Sequence, residues 1–283
     1  MKNIVITGAS TGIGFATTQA LIKKGHRVFG SVRKEADANR LKETLGKNFE
    51  PLLFDVTNPE SVKKEAQRVQ EMVGDKGIFA LINNAGIAVA GPMMHLPVED
   101  LRWQLEVNVL GLLTTTQAFL PLLGAKKNCP HPPGRVINIS SVAGKFANPF
   151  MGAYAASKHA VEAISGSLRI ELQLYGIDVV VIGPGVVKTP IWDKAEEISL
   201  DQYENTDYDK SGKRFLKFIL KVSKKGYEQD KFGSMLADIV ESKNPKPRYP
   251  LVYNKFYNWT LPRLMPTRTL NKIIGKQLGF IKD

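Results

Sequence analysis

The 283 residues include a single cysteine, Cys129. One thiol forms no internal disulfide and no cluster of metal-binding thiolates, so a reducing cytoplasm is the expected compartment. The four histidines, His26, His95, His131 and His159, are scattered, and none stands at ligand spacing from a second metal-binding side chain. No metal site is expected. No uninterrupted apolar run is long enough to span a bilayer. Met1 is followed almost at once by the strand-like Asn3-Ile-Val-Ile-Thr7, so a secretory leader is not expected either. Internal repeats and low-complexity tracts are lacking.

At 43% hydrophobic and 23% charged, the chain has the composition of an ordinary globular protein, with length enough for one large core. Its net charge of +12 is unevenly placed. Residues 211–283 carry sixteen Lys and Arg against five Asp and Glu, which leaves the first 210 close to neutral. A basic tail of this kind is a solvated face or an interface with an anionic surface. Nucleic acid is not an expected partner.

Strand-like and helix-like stretches alternate along the chain. Ile4–Thr7 reads as a strand, 13–24 as a helix, Arg27–Val32 as a strand and Glu35–Leu45 as a helix. Strand 51–54 and helix 59–72 follow, the latter with Asn58 as cap and Pro59 in its first turn. Then come strand 78–82, a long helical pattern over 98–123, a strand ending near Ser141, a helix from Tyr154 to Tyr175 and strand 177–182. A helix near 232–242 and strand 248–252 close the series. This alternation predicts an α/β fold with a parallel, doubly wound sheet.

Two stretches carry chemistry. After the first strand comes Gly8-Ala-Ser-Thr-Gly12-Ile-Gly14, a glycine turn that opens a helix and aims backbone N–H groups at a phosphate. Gly8 permits the tight turn, Gly12 a close backbone approach and Gly14 the packing of helix on strand. Further on, Tyr154 and Lys158 stand four apart on one helical face, and Ser141 ends the preceding strand, where open α/β sheets place their ligands. A hydroxyl, a phenol and an ammonium converging there would move a proton to or from an alcohol oxygen. The spacing alone proves nothing, because Tyr227 and Lys231 repeat it without a buried strand ahead of them. At the end of the second strand Val32 stands where a nicotinamide-binding fold would place an acid for the ribose hydroxyl, with Arg33 beside it. That favours the 2′-phosphate of NADP(H) over NAD(H).

Taken together, Thr7-Gly-Ala-Ser-Thr-Gly-Ile-Gly14, Asn83-Asn-Ala-Gly86, Asn108, Ser141, Tyr154-x-x-x-Lys158 and Pro184-Gly185 resemble the short-chain dehydrogenase/reductase family over residues 3–190, and its hydroxysteroid and retinol dehydrogenase-like members in particular. The resemblance implies a Rossmann-like single domain, residues 1–252, with a basic amphipathic extension over 253–283. It implies catalysis by Asn108, Ser141, Tyr154 and Lys158. Tyr154 would exchange the proton, its phenol lowered by the Lys158 ammonium. Lys158 would also bind the nicotinamide ribose, Ser141 the substrate oxygen, and Asn108 a water linking Lys158 to solvent. The cofactor would lie along Gly8, Ser10, Thr11, Gly12, Ile13, Gly14, Arg33, Asp55, Val56, Asn83, Ala85, Gly86, Tyr154, Lys158, Pro184, Gly185, Val187 and Thr189. A homodimer or homotetramer is expected. The second reading is a non-catalytic nucleotide sensor on the same fold.

Residues 190–230 read as an insertion covering the substrate. With Ile191, Trp192 and Phe215–Leu220, and with Val89, Met93, Phe146, Phe150 and Met151 nearby, they point to a bulky apolar substrate: steroid-, retinoid- or lipid-like. For the tail three placements stay open: on the fold, over the pocket, or on an anionic membrane as a peripheral contact.

Overall fold

Continuous β-branched and aliphatic runs bury both faces of a strand, which suits a parallel sheet covered by helices on each side. The computed structural model of the chain, which describes residues 1–189 and 201–281, has this architecture. Strands β1 (Asn3–Ile6), β2 (Arg27–Val32), β3 (Phe49–Leu53), β4 (Ala80–Asn83), β5 (Arg135–Ile139), β6 (Asp178–Pro184) and β9 (Arg248–Leu251) form one sheet in the order β3-β2-β1-β4-β5-β6-β9. Every pairing in it is parallel. A separate two-stranded ribbon joins β7 (Val187–Lys188) to β8 (Tyr227–Glu228).

Side chains alternate across the sheet. Ile4, Ile6, Ile82, Ile137 and Val180 face one core, which takes in α1 (Gly12–Lys23), α2 (Glu35–Leu45) and the late helix α8 (Gln229–Glu241). Val5, Leu81, Val136 and Val179 face the other, where α3 (Pro59–Val73) and α5 (Gly111–Phe119) pack. The chain runs outward through β2 and β3, then returns to continue beyond β1 with β4. The crevice at the carboxyl ends of β1 and β4 is therefore a topological switch point, the ligand position of open α/β sheets.

Two departures from the sequence pattern bear on function. The helical run over 98–123 is not one helix. It comprises α4 (Val98–Leu105), a widened π turn over Glu106–Leu110, α5, and a 3₁₀ turn over Leu120–Leu123. The helix of Tyr154 is α6, Gly152–Glu171, with a 3₁₀ turn over Leu172–Tyr175. Within the insertion the described part holds α7 (Asp209–Ser223), whereas Ile191 and Trp192 lie outside the described residues. The tail is ordered into a π turn over Phe256–Thr260, then α9 (Leu261–Leu264) and α10 (Thr267–Leu278).

Candidate active site

The glycine turn lies at the switch point. Gly8 and Gly12 adopt φ of +67° and +58°, a left-handed backbone that side chains resist. A Cβ on Gly14 would stand 2.0 Å from the Gly8 carbonyl oxygen, so only glycine lets α1 pass so close to its own entry loop. Ser31 on β2 accepts from the Gly8 N–H at 3.0 Å and, through its carbonyl, from Ala9 at 2.9 Å. The Thr7 hydroxyl accepts from the N–H groups of Asn84 and Ala85, each at 2.9 Å, which ties the end of β1 to the end of β4. Thr11 caps α1 in an extended conformation with no side-chain hydrogen bond to the helix. With Ser10, Thr11, Gly12 and Ile13 at this helix entry, the cradle fits a pyrophosphate.

Around it stand the other residues expected to hold a cofactor. Asp55 Oδ1 accepts from the Thr57 N–H and hydroxyl at 3.0 and 2.8 Å, fixing the loop that carries Val56. The Arg33 side chain is 68% exposed and its Nη1 lies 3.9 Å from Asp55 Oδ2. The Asn83 amide is buried in a polar network, donating to Thr116 and Asn138 at 2.8 Å, so the cleft meets its backbone rather than its side chain. Gly185 donates to the Leu251 carbonyl at 3.0 Å, which anchors the loop after Pro184 to β9. Val187 is buried in β7, and Thr189 lies against the glycine turn, where a Cβ on Gly12 would come within 3.4 Å of it. One residue that the sequence did not point to also reaches this loop: Arg40 of α2 donates to the Ser10 carbonyl at 3.0 Å and to Asp37 at 2.9 Å. Its only sequence signal was position, two turns along α2 from Arg33.

Ser141, Tyr154, Lys158 and Asn108 converge beyond the end of β5. Ser141 starts a 3₁₀ turn and accepts from the Ala143 N–H at 3.1 Å, which holds its side chain in place. Lys158 Nζ donates to the Ile139 carbonyl at 2.8 Å and lies 5.7 Å from the Tyr154 ring centre. Lys158 is only 6% exposed, and burial lowers its pKa to about 8. For Tyr154 burial outweighs the hydrogen bond with Ser141, and the phenol titrates above its ordinary value. The expected lowering by the ammonium is thus corrected: at this buried phenol the loss of hydration is the largest effect. A phenol that keeps its proton is a competent donor.

The π turn accommodates Asn108. Asn108 Nδ2 donates to the Ile87 carbonyl and to Ser157 Oγ, each at 3.0 Å, while its Oδ1 accepts from the Ile87 N–H at 2.9 Å. Ser157 in turn donates to the Tyr154 carbonyl at 2.7 Å. A side chain at Gly86 would come within 3.1 Å of Asn108 Oδ1 and 3.7 Å of Lys158 Nζ, so the Asn83–Gly86 loop lies directly over this group.

A second layer holds the serine. Arg248 of β9 donates through Nε to both carboxylate oxygens of Glu162 at 3.0 Å, and through Nη2 to the Ser141 carbonyl at 3.2 Å. Its guanidinium lies 4.3 Å from the ring centre of Trp259, whose ring also meets Phe146 edge-on at 5.7 Å. Neither Arg248 nor Glu162 carries a sequence motif. Elements more than a hundred residues apart meet at the serine.

The family model described as short chain dehydrogenase matches residues 2–199. The chain belongs to the short-chain dehydrogenase family. Its relatives include a protein of Ornithobacterium rhinotracheale named NADPH-dependent 3-dehydrocapnine reductase, 41% identical and covering 98% of each chain. A 3-ketodihydrosphingosine reductase of Bacteroides thetaiotaomicron is 34% identical over 93% of this chain and 94% of that one. A short-chain dehydrogenase of Burkholderia cenocepacia, solved in complex with NADP, shares the fold with a TM-score of 0.73 at 22% identity, covering 96% of this chain and 97% of that one. As a short-chain dehydrogenase, the protein binds a nicotinamide cofactor and interconverts a carbonyl with an alcohol.

Proposed function

We propose that the protein is an NADP(H)-dependent reductase of a ketone on a bulky, lipid-like substrate. The observation that carries the catalytic half is the convergence of Ser141, Tyr154 and Lys158 at the end of β5, facing the glycine turn across the switch point. Ser141 would hold the carbonyl oxygen. Tyr154 would give that oxygen its proton, and Lys158 would keep the phenol oriented and contact the ribose. The cofactor, bound along Gly8–Gly14 and Thr189, supplies or accepts the hydride. Asn108, through Ser157 and Ile87, would hold this end of α6 and a water chain to Lys158.

NADP(H) is favoured by Val32 and Arg33 at the end of β2 and by Arg40 above Ser10, which place guanidinium groups beside the adenosine ribose end of the cleft. The relative that is 41% identical carries NADPH in its name. An apolar substrate is favoured by the cluster of Phe150, Tyr203, Phe215 and Leu278, with Met151, Tyr208 and Ile219 packed on it, because Phe150 and Met151 stand just ahead of Tyr154 in the chain. The relatives named for 3-dehydrocapnine and 3-ketodihydrosphingosine agree with a keto group at carbon 3. A cytoplasmic location suits the single thiol, Cys129. Among the described residues no helix is long and apolar enough to cross a membrane.

The test is turnover of long-chain ketones with NADPH by the protein and its Tyr154→Phe variant. A loss of about 10²–10⁴-fold is expected, with NADPH binding retained. Unchanged turnover would overturn the role given to Tyr154, and no turnover by the unaltered protein with any ketone would revive the sensor reading.

A further inference from the structure

The exposed apolar side chains of this molecule are not spread evenly. Tyr253, Phe256, Tyr257, Leu261, Leu264 and Ile273 all lie on the surface, within a short stretch of tail, Leu264 at 74% exposure. Residues 253–281 contain Lys255, Arg263, Arg268, Lys272 and Lys276 and no acidic residue at all. Among the described residues no carboxylate lies within ion-pair reach of Lys255, Arg263, Arg268 or Lys272. Exposed apolar side chains gathered in one acid-free, basic stretch of chain mark a contact site.

The helices are oriented for such a contact. On α10, Leu270, Ile274 and Leu278 recur every four residues, and the last two pack on Phe215 of α7 and Phe150. On another side of the same helix, Arg268 and Lys272 also stand four apart, and both are exposed. On α7 the buried edge is Ser211, Gly212 and Phe215, while Arg214, Lys217, Phe218 and Lys221 face outward. Two basic amphipathic helices thus lie side by side, their inner edges packed on the cluster of Phe150 and Phe215 and their outer edges exposed, as are the aromatics of 253–257.

The molecule has other exposed apolar residues, and they differ in kind. Trp103 and Leu110 lie among Glu99, Asp100 and Glu106, and Ile170 and Leu174 flank Glu171. Those mixed surfaces suit a protein partner. The acid-free tail surface suits a negatively charged plane into which aromatic and aliphatic side chains dip while lysines and arginines reach the headgroups.

We propose that the outer face of α7, α10 and residues 253–264 rests on an anionic lipid bilayer, with the helices lying in the plane of the interface. The proposal stands on this surface and does not depend on the identity of the substrate. Purified full-length protein should sediment with vesicles of phosphatidylcholine containing phosphatidylglycerol, and not with phosphatidylcholine alone. High salt should release it. Changing Lys255→Glu, Arg268→Glu and Lys272→Glu together should weaken partitioning by at least about a hundredfold, since losing each cation near a charged surface costs about fivefold and each new carboxylate adds repulsion. Phe256→Ser, Tyr257→Ser and Leu264→Ser, at unchanged charge, should weaken it as well. All six positions are exposed, so the thermal unfolding of both variants should match that of the parent, which separates a binding defect from a folding one. Failure to sediment with anionic vesicles, or binding that survives charge reversal, overturns the proposal. So does an outcome in which the same changes dissociate an oligomer in sedimentation velocity and leave vesicle binding untouched, because the face would then join two copies of the chain.

Discussion

At the scale of single residues, Lys158 is the side chain most at odds with its surroundings. Its pKa falls from 10.5 to about 8 because an ammonium is held away from water with one carbonyl for company. That difference corresponds to ~3 kcal/mol of unfavourable free energy in the folded state. The folded value lies below the unfolded one, so the penalty is full below about pH 8 and disappears as pH rises through 10.5. Lys158→Met should therefore abolish turnover and yet raise the melting temperature at neutral pH. The gain should shrink toward pH 10, as a melting series across pH would show; a Lys158→Met protein less stable than its parent at pH 7 would contradict the burial argument. The same titration predicts that ketone reduction slows above about pH 8, as Lys158 loses the charge proposed to orient Tyr154.

Arg248 and Glu162 work on Ser141 from behind. Removing the Glu162 charge leaves Arg248 with a weaker grip, so Glu162→Gln should lower kcat about tenfold through a looser serine loop. NADPH affinity should stay as it was. Should NADPH affinity fall along with kcat, the pair would be supporting the whole cleft and not the serine. The contrast between these residues and the catalytic set shows where sequence stops being informative. Ser141, Tyr154 and Lys158 are readable because a strand end and one helical turn fix their relation locally. Arg248 reaches Ser141 only because β9 pairs with β6, a fact about the sheet that no spacing along the chain encodes.

At the scale of elements, the glycine turn and the π turn make the difference between a sheet and a site. The glycine turn was legible, since three glycines so closely spaced after an N-terminal strand suit little besides a tight, phosphate-binding entry to a helix. Gly14→Ala would force a Cβ against the Gly8 carbonyl, at 2.0 Å in the present backbone. It should cost about 1–3 kcal/mol of stability and most cofactor binding, measured by denaturant melts and NADPH titration. The π turn was not legible. The pattern over 98–123 reads as uninterrupted helix because one extra residue per turn leaves apolar periodicity almost intact, and only the mediocre helix propensity of Asn108 hinted at a special position. Its effect is to present Asn108 to both Ile87 and Ser157, joining the loop after β4 to α6.

At the scale of the whole molecule, the parallel sheet followed from the alternation of elements, and what lies over it did not. The exposed apolar side chains of Trp103 on α4, Leu110 in the π turn, Ile170 on α6 and Leu174 just beyond it are where the expected homodimer or homotetramer would make its contact. Ile170→Asp with Leu174→Asp should shift the protein toward monomer in sedimentation velocity. An unchanged oligomer would place the contact elsewhere. The tail, which the sequence left open, packs α10 on α7 and Trp259 on Arg248.

The order of synthesis sets when that arginine can act. The residue that grips the Ser141 carbonyl is Arg248, 107 positions further along the chain. At roughly 5–20 residues per second, a ribosome needs about 5–20 s to travel from one to the other. During that interval the nascent chain can already display its glycine turn and Tyr154 without a secured serine. Until Arg248 has been made and β9 has paired with β6, the serine loop lacks the contact that secures it.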